Sequence, residues 1–180
     1  MSSPSIRPAT PSDLDTLAAL EVEAGQLFRS VGMPEVADHD PGLEELRRSQ
    51  GEGLVWVAEE GGEIAGYVVA ALLDGNAHIE QVSVAPAHAR RGIGATLIGQ
   101  VEAYGRAQGV PATTLTTFRD VAWNGQYYAR LGYREMSRAQ VGAGLAAAMD
   151  HEASLPGIEA ARRCAMVKPN DPGGSGVTSD

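Results

Sequence analysis

A pair of glycines marks the first place where this sequence could do chemistry. The stretch VAPAHARRGIGATLIGQVEAYGRAQG puts Gly92 and Gly94 where a strand gives way to a helix. Helix N-termini expose unpaired N–H groups with partial positive charge, and a turn without Cβ atoms lets a phosphate approach them. Arg90 and Arg91 would add charge-assisted donors. The turn predicts a diphosphate site, although a glycine turn that only packs would use the same residues.

Other phosphate and metal motifs are missing from the sequence. The spacing is not the G-x-x-x-x-G-K-[ST] of a Walker loop, and Leu97 occupies the third glycine position of a G-x-G-x-x-G dinucleotide site. The four histidines are scattered, so no metal site is expected. The single cysteine, Cys164, is predicted to be buried rather than nucleophilic.

The N-terminal part of the chain predicts a strand, a helix and a loop. SIRPAT is typical of a short strand, and Thr10 with Asp13 forms a capping box that begins a helix. Apolar residues continue at helical spacing as far as Val22. Glycines and prolines between residues 28 and 42 predict a loop, and a short helix follows over residues 43–50.

Three antiparallel strands are predicted next, because β-rich segments flank two glycine turns. Gly61-Gly62 separates LVWVAEE from EIAGYVVAALL, and Asp74-Gly75 precedes NAHIEQVSV. After the helix of the glycine stretch, ATTLTTF predicts a fifth strand and residues 121–131 a helix that ends at Gly132. YREMS, an alanine-rich helix over residues 144–153 and ARRCAMVKP complete the pattern.

This order of elements predicts one α/β (α+β) domain over residues 1–169, followed by a disordered tail over residues 170–180. Its core would be a central mixed, mostly antiparallel sheet of six to seven strands, flanked by helices. The sequence leaves open whether the chain forms a homodimer.

Composition restricts the partners. The 180 residues carry a net charge of −9, which argues against nucleic acid and is compatible with a cationic substrate. No apolar run approaches the roughly 20 residues that span a bilayer, and the N-terminus does not read as a signal peptide. With only one cysteine and no disulfide framework, a reducing cytoplasm is the expected location.

Nearly the whole chain, from IRPATPSDLDTL to ARRCAMVKP, resembles the GNAT superfamily of N-acetyltransferases. HIEQVSVAPAHARRGIGATLI is similar to the family's acetyl-CoA motif, and WNGQYYARLGY to its later helix, where a tyrosine precedes glycine-aromatic by four residues. Two positions depart from the family pattern: Ala89 stands where a Gln or Arg donor is usual, and Asn124 lies only four residues before Tyr128, not about seven.

The resemblance implies direct attack of an amine on the thioester in a ternary complex. It implies Glu80 as the general base, acting through water, and Tyr128 as the acid that protonates the thiolate. Strand alternation predicts that Glu80 shares a face with Val82 and Val84. His78 would lie on the same face, where it could assist Glu80, although a single histidine at a strand start is more often just a polar surface residue. Tyr127 is expected only to pack.

The resemblance also assigns binding residues. Acetyl-CoA, the co-substrate, would bind through residues of the fourth strand, the glycine turn and the later helix: Val82, Ser83, Val84, Arg90, Arg91, Gly92, Ile93, Gly94, Ala95, Asn124 and Tyr128. Phe28, Glu35 and Asp38, with Asp40 beside them, are the expected contacts of a cationic acceptor.

The expected function is acetylation of a primary amine, most simply that of a small molecule. Acetylation of a protein N-terminus or lysine is an alternative, as is a non-catalytic acyl-CoA-binding domain. The presence of both Glu80 and Tyr128 argues against the non-catalytic alternative, because a protein that only binds needs neither.

Overall fold

The fold comes from a computed structural model that describes residues 3–121 and 123–170. Its seven strands are β1 (Ser5–Pro8), β2 (Val55–Glu60), β3 (Glu63–Leu73), β4 (Asn76–Val84), β5 (Ala112–Phe118), β6 (Arg134–Glu135) and β7 (Arg163–Pro169). Its α-helices are α1 (Leu14–Gly25), α2 (Pro34–Ala37), α3 (Leu43–Gly51), α4 (Ile93–Ala107), α5 (Gly125–Arg130) and α6 (Ala143–Ala153).

The strands form one sheet in the order β1-β2-β3-β4-β5-β7-β6. Only the central β4–β5 pair is parallel, so the predicted mixed, mostly antiparallel sheet is confirmed. That parallel pairing covers just the first part of β4, residues 77–79, and then stops. Beyond Ile79 the two strands diverge, and the edge of β4 that faces β5 is left without a partner strand.

A β-bulge sits where the strands begin to diverge. Val69 pairs with Gln81 and the next residue, Ala70, pairs with Ile79, so Glu80 is an extra residue in β4. A bulge reverses the alternation of side chains across the strand. The predicted face that joined Glu80 with Val82 and Val84 is therefore wrong.

Helices cover both faces of the sheet. On the face we call the α4 face, Leu97, Ile98 and Val101 of α4 pack with Ile79 and the partly buried Val82 and Val84 of β4. On the opposite face, which we call the α1 face, Leu14, Leu17 and Leu20 of α1 pack on Tyr67 and Val69 of β3.

Local signals in the sequence were accurate at several helix ends. The Thr10–Asp13 capping box is present, and Arg7 pairs with Asp13 at 2.8 Å, which lowers the pKa of that carboxyl to about 2. Gly132 has the positive φ of +97° expected after α5.

Several boundaries differ from prediction. Val22 is 42% exposed, because Leu14, Leu17 and Leu20 provide the buried stripe of α1. The predicted loop over residues 28–42 contains α2 and part of a 3₁₀ helix, and α5 begins only at Gly125.

Asn170, assigned to the tail, is buried and its amide oxygen accepts a hydrogen bond from Thr113. Residues 171–180 of the predicted tail lie outside the described residues.

Candidate active site

The glycine turn presents free backbone at the start of α4. Arg90 and Gly92 both have left-handed backbone, with φ of +63° and +77°. The first intrahelical bond runs from the Thr96 N–H to the Gly92 carbonyl, so the preceding N–H groups of residues 93–95 have no acceptor within the helix. A Cβ built on Gly92 meets no atom within 4 Å. The turn therefore combines free donors with open space, as an anion site requires.

Gly94 has a different neighbour. A Cβ at this position would lie 3.0 Å from the Tyr127 hydroxyl oxygen and 3.7 Å from a methyl carbon of Val84. Tyr127 packs against the core as predicted, yet its hydroxyl also reaches the glycine turn. The absence of a side chain at Gly94 thus makes room both at the turn and for Tyr127.

The two arginines before the turn are held differently. Arg91 donates to the Glu60 carboxylate at 2.9 Å, and the same oxygen lies 2.7 Å from His88 Nδ1. These contacts, with His88 the larger cause, lower the pKa of Glu60. Arg90 is exposed and makes no hydrogen bond or ion pair with any described residue. Arg90 is therefore the more available of the two for an anionic ligand.

The unpaired edge of β4 leads from the bulge to the glycine turn. The Ala85 N–H bonds to Ala65 of β3 at 2.8 Å. Because alternate residues of an antiparallel strand bond to the same neighbour, Val82 and Val84 direct their N–H and C=O groups to the other edge, where β5 has diverged. Ser83 instead turns its buried side chain to the α1 face, where its hydroxyl accepts from the Gln81 amide at 2.8 Å.

Glu80 lies at the point of divergence and faces α3. Although the side chain is exposed, partial burial raises the pKa of its carboxyl, and the nearby Glu45 carboxylate of α3 raises it further. Arg48 opposes this rise. The bulge thus points Glu80 to the α1 face, where burial first and the acidic neighbours at α3 second raise the pKa of its carboxyl.

Tyr128 packs edge-on with two other tyrosines. Its ring makes edge contacts with Tyr127 and Tyr133, with ring centroids 5.4 Å and 6.1 Å away. Burial raises the pKa of Tyr128 to about 12, and Arg163 is close enough to oppose that shift. Asn124 precedes α5 and its carbonyl accepts from the Tyr128 N–H, but its side chain does not cap the helix.

The predicted acceptor residues are only partly brought together. Phe28 packs edge-on against Phe118 at the end of β5, with 5.6 Å between the ring centroids. Asp38 is exposed and already forms an ion pair with Arg29, so its charge is compensated within the protein. Glu35 is exposed and lies against Gly157.

The acetyltransferase (GNAT) family matches residues 20–133, more than half of the 180 residues. The chain belongs to this family. The match includes the glycine turn, the diverging strands and both candidate catalytic residues.

Solved structures show how widely this GNAT fold is shared. The ribosomal-protein-S18-alanine N-acetyltransferase of Escherichia coli is 18% identical with a TM-score of 0.69, over 98% of this chain and 100% of its own. The PaiA N-acetyltransferase of Thermoplasma acidophilum, solved with coenzyme A, is 18% identical with a TM-score of 0.64, over 93% and 99%. N-acetylglutamate synthase of Neisseria gonorrhoeae, solved with coenzyme A and N-acetyl-glutamate, is 17% identical with a TM-score of 0.68, over 94% and 35%. At these identities the likeness concerns the fold.

Sequence reasoning missed a polar cluster on the α1 face of this GNAT sheet. Thr116 donates to Glu152 of α6 at 2.7 Å, and Arg163 donates to both, at 2.8 Å each. The Arg163 guanidinium also stacks 4.6 Å from the Phe118 ring centroid, and its buried Nε has no hydrogen-bond partner among the described residues. Nearby, His78 is buried, and its Nδ1 lies 2.9 Å from the Thr114 hydroxyl.

A second missed pair lies under α1, where Tyr67 donates to Glu21. Glu21 follows Leu14 and Leu17 at helical spacing, so an acid in a core-facing stripe was the available signal.

Three further observations concern the described part of this GNAT chain. No group of three His, Cys, Asp or Glu side chains in residues 3–121 and 123–170 is arranged to hold a metal ion. No helix there is long and apolar enough to cross a bilayer. A cavity of about 310 Å³ between α5, β6 and β7 includes buried Cys164 in its lining but neither Tyr127 nor Tyr128.

Proposed function

We propose that the protein transfers the acetyl group of acetyl-CoA to a primary amine of a small molecule, by direct attack in a ternary complex. One observation carries the proposal: the unpaired edge of β4 begins at Glu80, whose carboxyl has a raised pKa, and ends at a helix N-terminus with free N–H groups. A carboxyl group and two sets of free backbone donors are thus aligned along one strand.

The chain has suitable groups for the pyrophosphate and for the pantetheine amides of acetyl-CoA. The free N–H groups of residues 93–95, the open space at Gly92 and the exposed Arg90 fit a pyrophosphate. The edge groups of Val82 and Val84 fit amide groups laid alongside them as an added strand would be. Acetyl-CoA supplies the thioester whose carbonyl the amine attacks.

Glu80 would remove the proton from the acceptor ammonium, directly or through one water. A general base works best when its pKa lies near the working pH, so the raised pKa of this carboxyl suits it to the task. Its position on the α1 face, opposite α4, would bring the amine to the thioester from the side that α4 does not cover.

Tyr128 would donate a proton to the leaving thiolate. Its pKa of about 12 keeps the phenol protonated at neutral pH, so a proton is available to the departing sulfur. Its ring is held in place by Tyr133, so the donor position is fixed before the substrates bind.

We favour a small amine over a protein substrate because polar side chains are already buried on the α1 face. Thr116, Glu152 and Arg163 bring a hydroxyl, a carboxylate and a guanidinium together in a small space, which suits a compact polar ligand. A peptide acceptor would instead need an open groove that accommodates several residues. Release of CoA should therefore be faster with small amines than with peptides bearing an N-terminal amine or a lysine.

Glu80→Gln tests the proposal, with Glu63→Gln at an exposed site on β3 as the matched control. We expect kcat to fall by about 10²-fold at neutral pH and the KM for acetyl-CoA to stay constant. Because only the deprotonated carboxylate is a base, the wild-type rate should fall as pH drops through the raised pKa of Glu80. The variant should lack that limb and approach the wild type at high pH, where the amine is already neutral.

Two results would contradict the proposal. Tight acetyl-CoA binding without CoA release in the presence of any amine or peptide would favour the non-catalytic alternative. Faster turnover of peptides than of small amines would move the function to protein acetylation.

A further inference from the structure

Glu21 is an acid in the apolar layer between α1 and the sheet. Its Oε2 accepts a hydrogen bond of 2.5 Å from the hydroxyl of Tyr67 on β3. Tyr67 is only 1% exposed and packs with the core leucines of α1, so its hydroxyl is fixed beneath the helix. The hydrogen bond therefore holds the Glu21 carboxylate in one position over the sheet.

That position is beside the unpaired edge of β4. Tyr67 lies directly opposite Ser83 in the β3–β4 ladder, and Ser83 receives the Gln81 amide on the same face. Glu21 thus lies over the segment that follows the bulge, on the face to which Glu80 points. Ser83 is three positions beyond Glu80, which corresponds to about 10 Å along a strand.

The charge of Glu21 is not compensated within the described residues. Neither Lys nor Arg forms an ion pair with it there, whereas Asp38 has Arg29 as its partner. Burial raises the pKa of Glu21, and the charged groups that act on it are His39, which lowers the pKa, and Asp40, which raises it. With Tyr67 bound at Oε2, the second carboxylate oxygen is free of hydrogen bonds from described groups.

We propose that Glu21, oriented by Tyr67, binds a positive charge of the acceptor other than the amine that reacts at Glu80. The acceptor class is then a diamine or another amine with a second cationic group, and the roughly 10 Å of strand from Glu80 to Ser83 sets the scale of the spacing between its two charges. A substrate cation would supply the charge partner that the fold does not, and the free carboxylate oxygen would accept its N–H. This inference rests on the proposed function, because it assigns the substrate class of the same site.

The experiment compares heptylamine with diaminoheptane, its α,ω-diamine analogue, as acceptors. Steady-state kinetics and calorimetric binding with CoA present are measured for the wild type, Glu21→Gln and Tyr67→Phe. Glu23→Gln, at an exposed position on the same helix, is the matched control. Thermal melts establish that each variant is folded.

We expect the wild type to prefer the diamine. In Glu21→Gln, the KM and Kd for diaminoheptane should rise by about tenfold to a hundredfold, while the values for heptylamine and acetyl-CoA stay constant. Tyr67→Phe should show the same selective loss to a smaller degree, because the carboxylate remains but loses its orientation. Glu23→Gln should match the wild type.

Other outcomes overturn the inference in recognisable ways. Equal losses for both amines in Glu21→Gln would show a structural or catalytic role rather than recognition of a second charge. A wild type that acetylates heptylamine and diaminoheptane equally well would retain the proposed function and remove this substrate class. Diamine binding that depends on Glu21 without any acetyl transfer would retain the binding site and remove the proposed reaction.

Discussion

The two faces of the sheet differ in what they offer a ligand. On the α4 face, aliphatic side chains such as Leu97 and Val101 form an apolar core. Glu102 of α4 accepts from Tyr133 and Lys168 at its margin, but the donors left free at the glycine turn are backbone N–H groups. On the α1 face, side chains from separate elements form hydrogen-bonded pairs inside the fold, among them Tyr67 with Glu21 and Arg163 with Glu152.

This difference separates a generic site from a specific one. Backbone donors and an open glycine turn recognise a phosphate whatever the rest of the chain does. Buried side chains of both charges recognise one arrangement of polar groups and leave unpaired groups when another ligand binds. If the proposed function is correct, backbone groups would recognise the shared acetyl donor, and buried side chains would recognise the particular acceptor.

Gly94→Val should have the largest effect and tests the backbone-based site. Valine would fill the approach to the N–H groups of α4, so acetyl-CoA binding measured by calorimetry should be abolished in a protein that still folds. Gly99→Val, in the same helix where a Cβ meets no atom within 4 Å, should bind normally.

The contact with Tyr127 offers a second control. A Cβ at residue 94 would also crowd the Tyr127 hydroxyl, 3.0 Å away, and Tyr127→Phe removes that atom. If Gly94→Val combined with Tyr127→Phe restored binding, the glycine would serve packing rather than the phosphate.

Tyr128→Phe should come next in size and tests the proposed proton donor, which packs against the core of the α4 face. We expect kcat to fall by about 10²–10⁴-fold while acetyl-CoA affinity is retained, because the variant loses only the proton donor. Tyr127→Phe should be nearly neutral. The opposite result for the two tyrosines would assign the donor role to the hydroxyl that reaches the glycine turn.

Arg90→Ala should weaken acetyl-CoA binding by roughly tenfold, the value of one charge-assisted hydrogen bond. Arg91→Ala should lose less, since Arg91 must first leave Glu60 to reach a ligand. Both effects should fade with added salt, whereas the Gly94→Val effect should not. Equal losses that are independent of salt would show that the arginines hold the turn rather than the phosphate.

Thr116→Val should have the smallest effect. It tests the polar cluster on the α1 face. The ion pair of Arg163 with Glu152 remains at 2.8 Å, so we expect a loss of about 1 kcal/mol in stability and a roughly twofold to fivefold rise in acceptor KM. The KM for acetyl-CoA should be unchanged. Thr117→Val, which changes the next residue on the other face of β5, should leave the acceptor KM constant. A larger effect from Thr117 would reverse the assignment of the two faces.

Sequence patterns predicted the α4 face well because its determinants are local. The glycine turn, the helix that follows and the strands before it are each encoded within a short stretch, with hydrophobic periodicity and turn residues in agreement. The family resemblance was confirmed for the same reason, since its most specific motif lies in that stretch.

The side-chain contacts of the α1 face could not be predicted in this way, because they join residues that are far apart in the sequence. Glu21 and Tyr67 are 46 residues apart, and Thr116 and Arg163 are 47 apart. Asp38 was assigned to the acceptor from its charge alone, and only the structure shows that Arg29 compensates it. The bulge at Glu80 depends on the pairing with β3, so alternation within β4 alone gave the wrong face for that side chain.

The extra residue in β4 also has a consequence for how the domain could change. Without Glu80, Ile79 would be followed by Gln81. The side chains from Ala77 to Val84 would then alternate regularly between the α4 face and the α1 face. Such a strand could continue its hydrogen bonds with β5 and close the gap between them. A relative that lacked this residue would have a more regular and more stable sheet than this chain. It would also have lost the free edge of β4 along which a ligand can lie. A glutamate deletion that raises the melting temperature while removing acetyl-CoA binding would show that selection here has kept an imperfect sheet for what it leaves open.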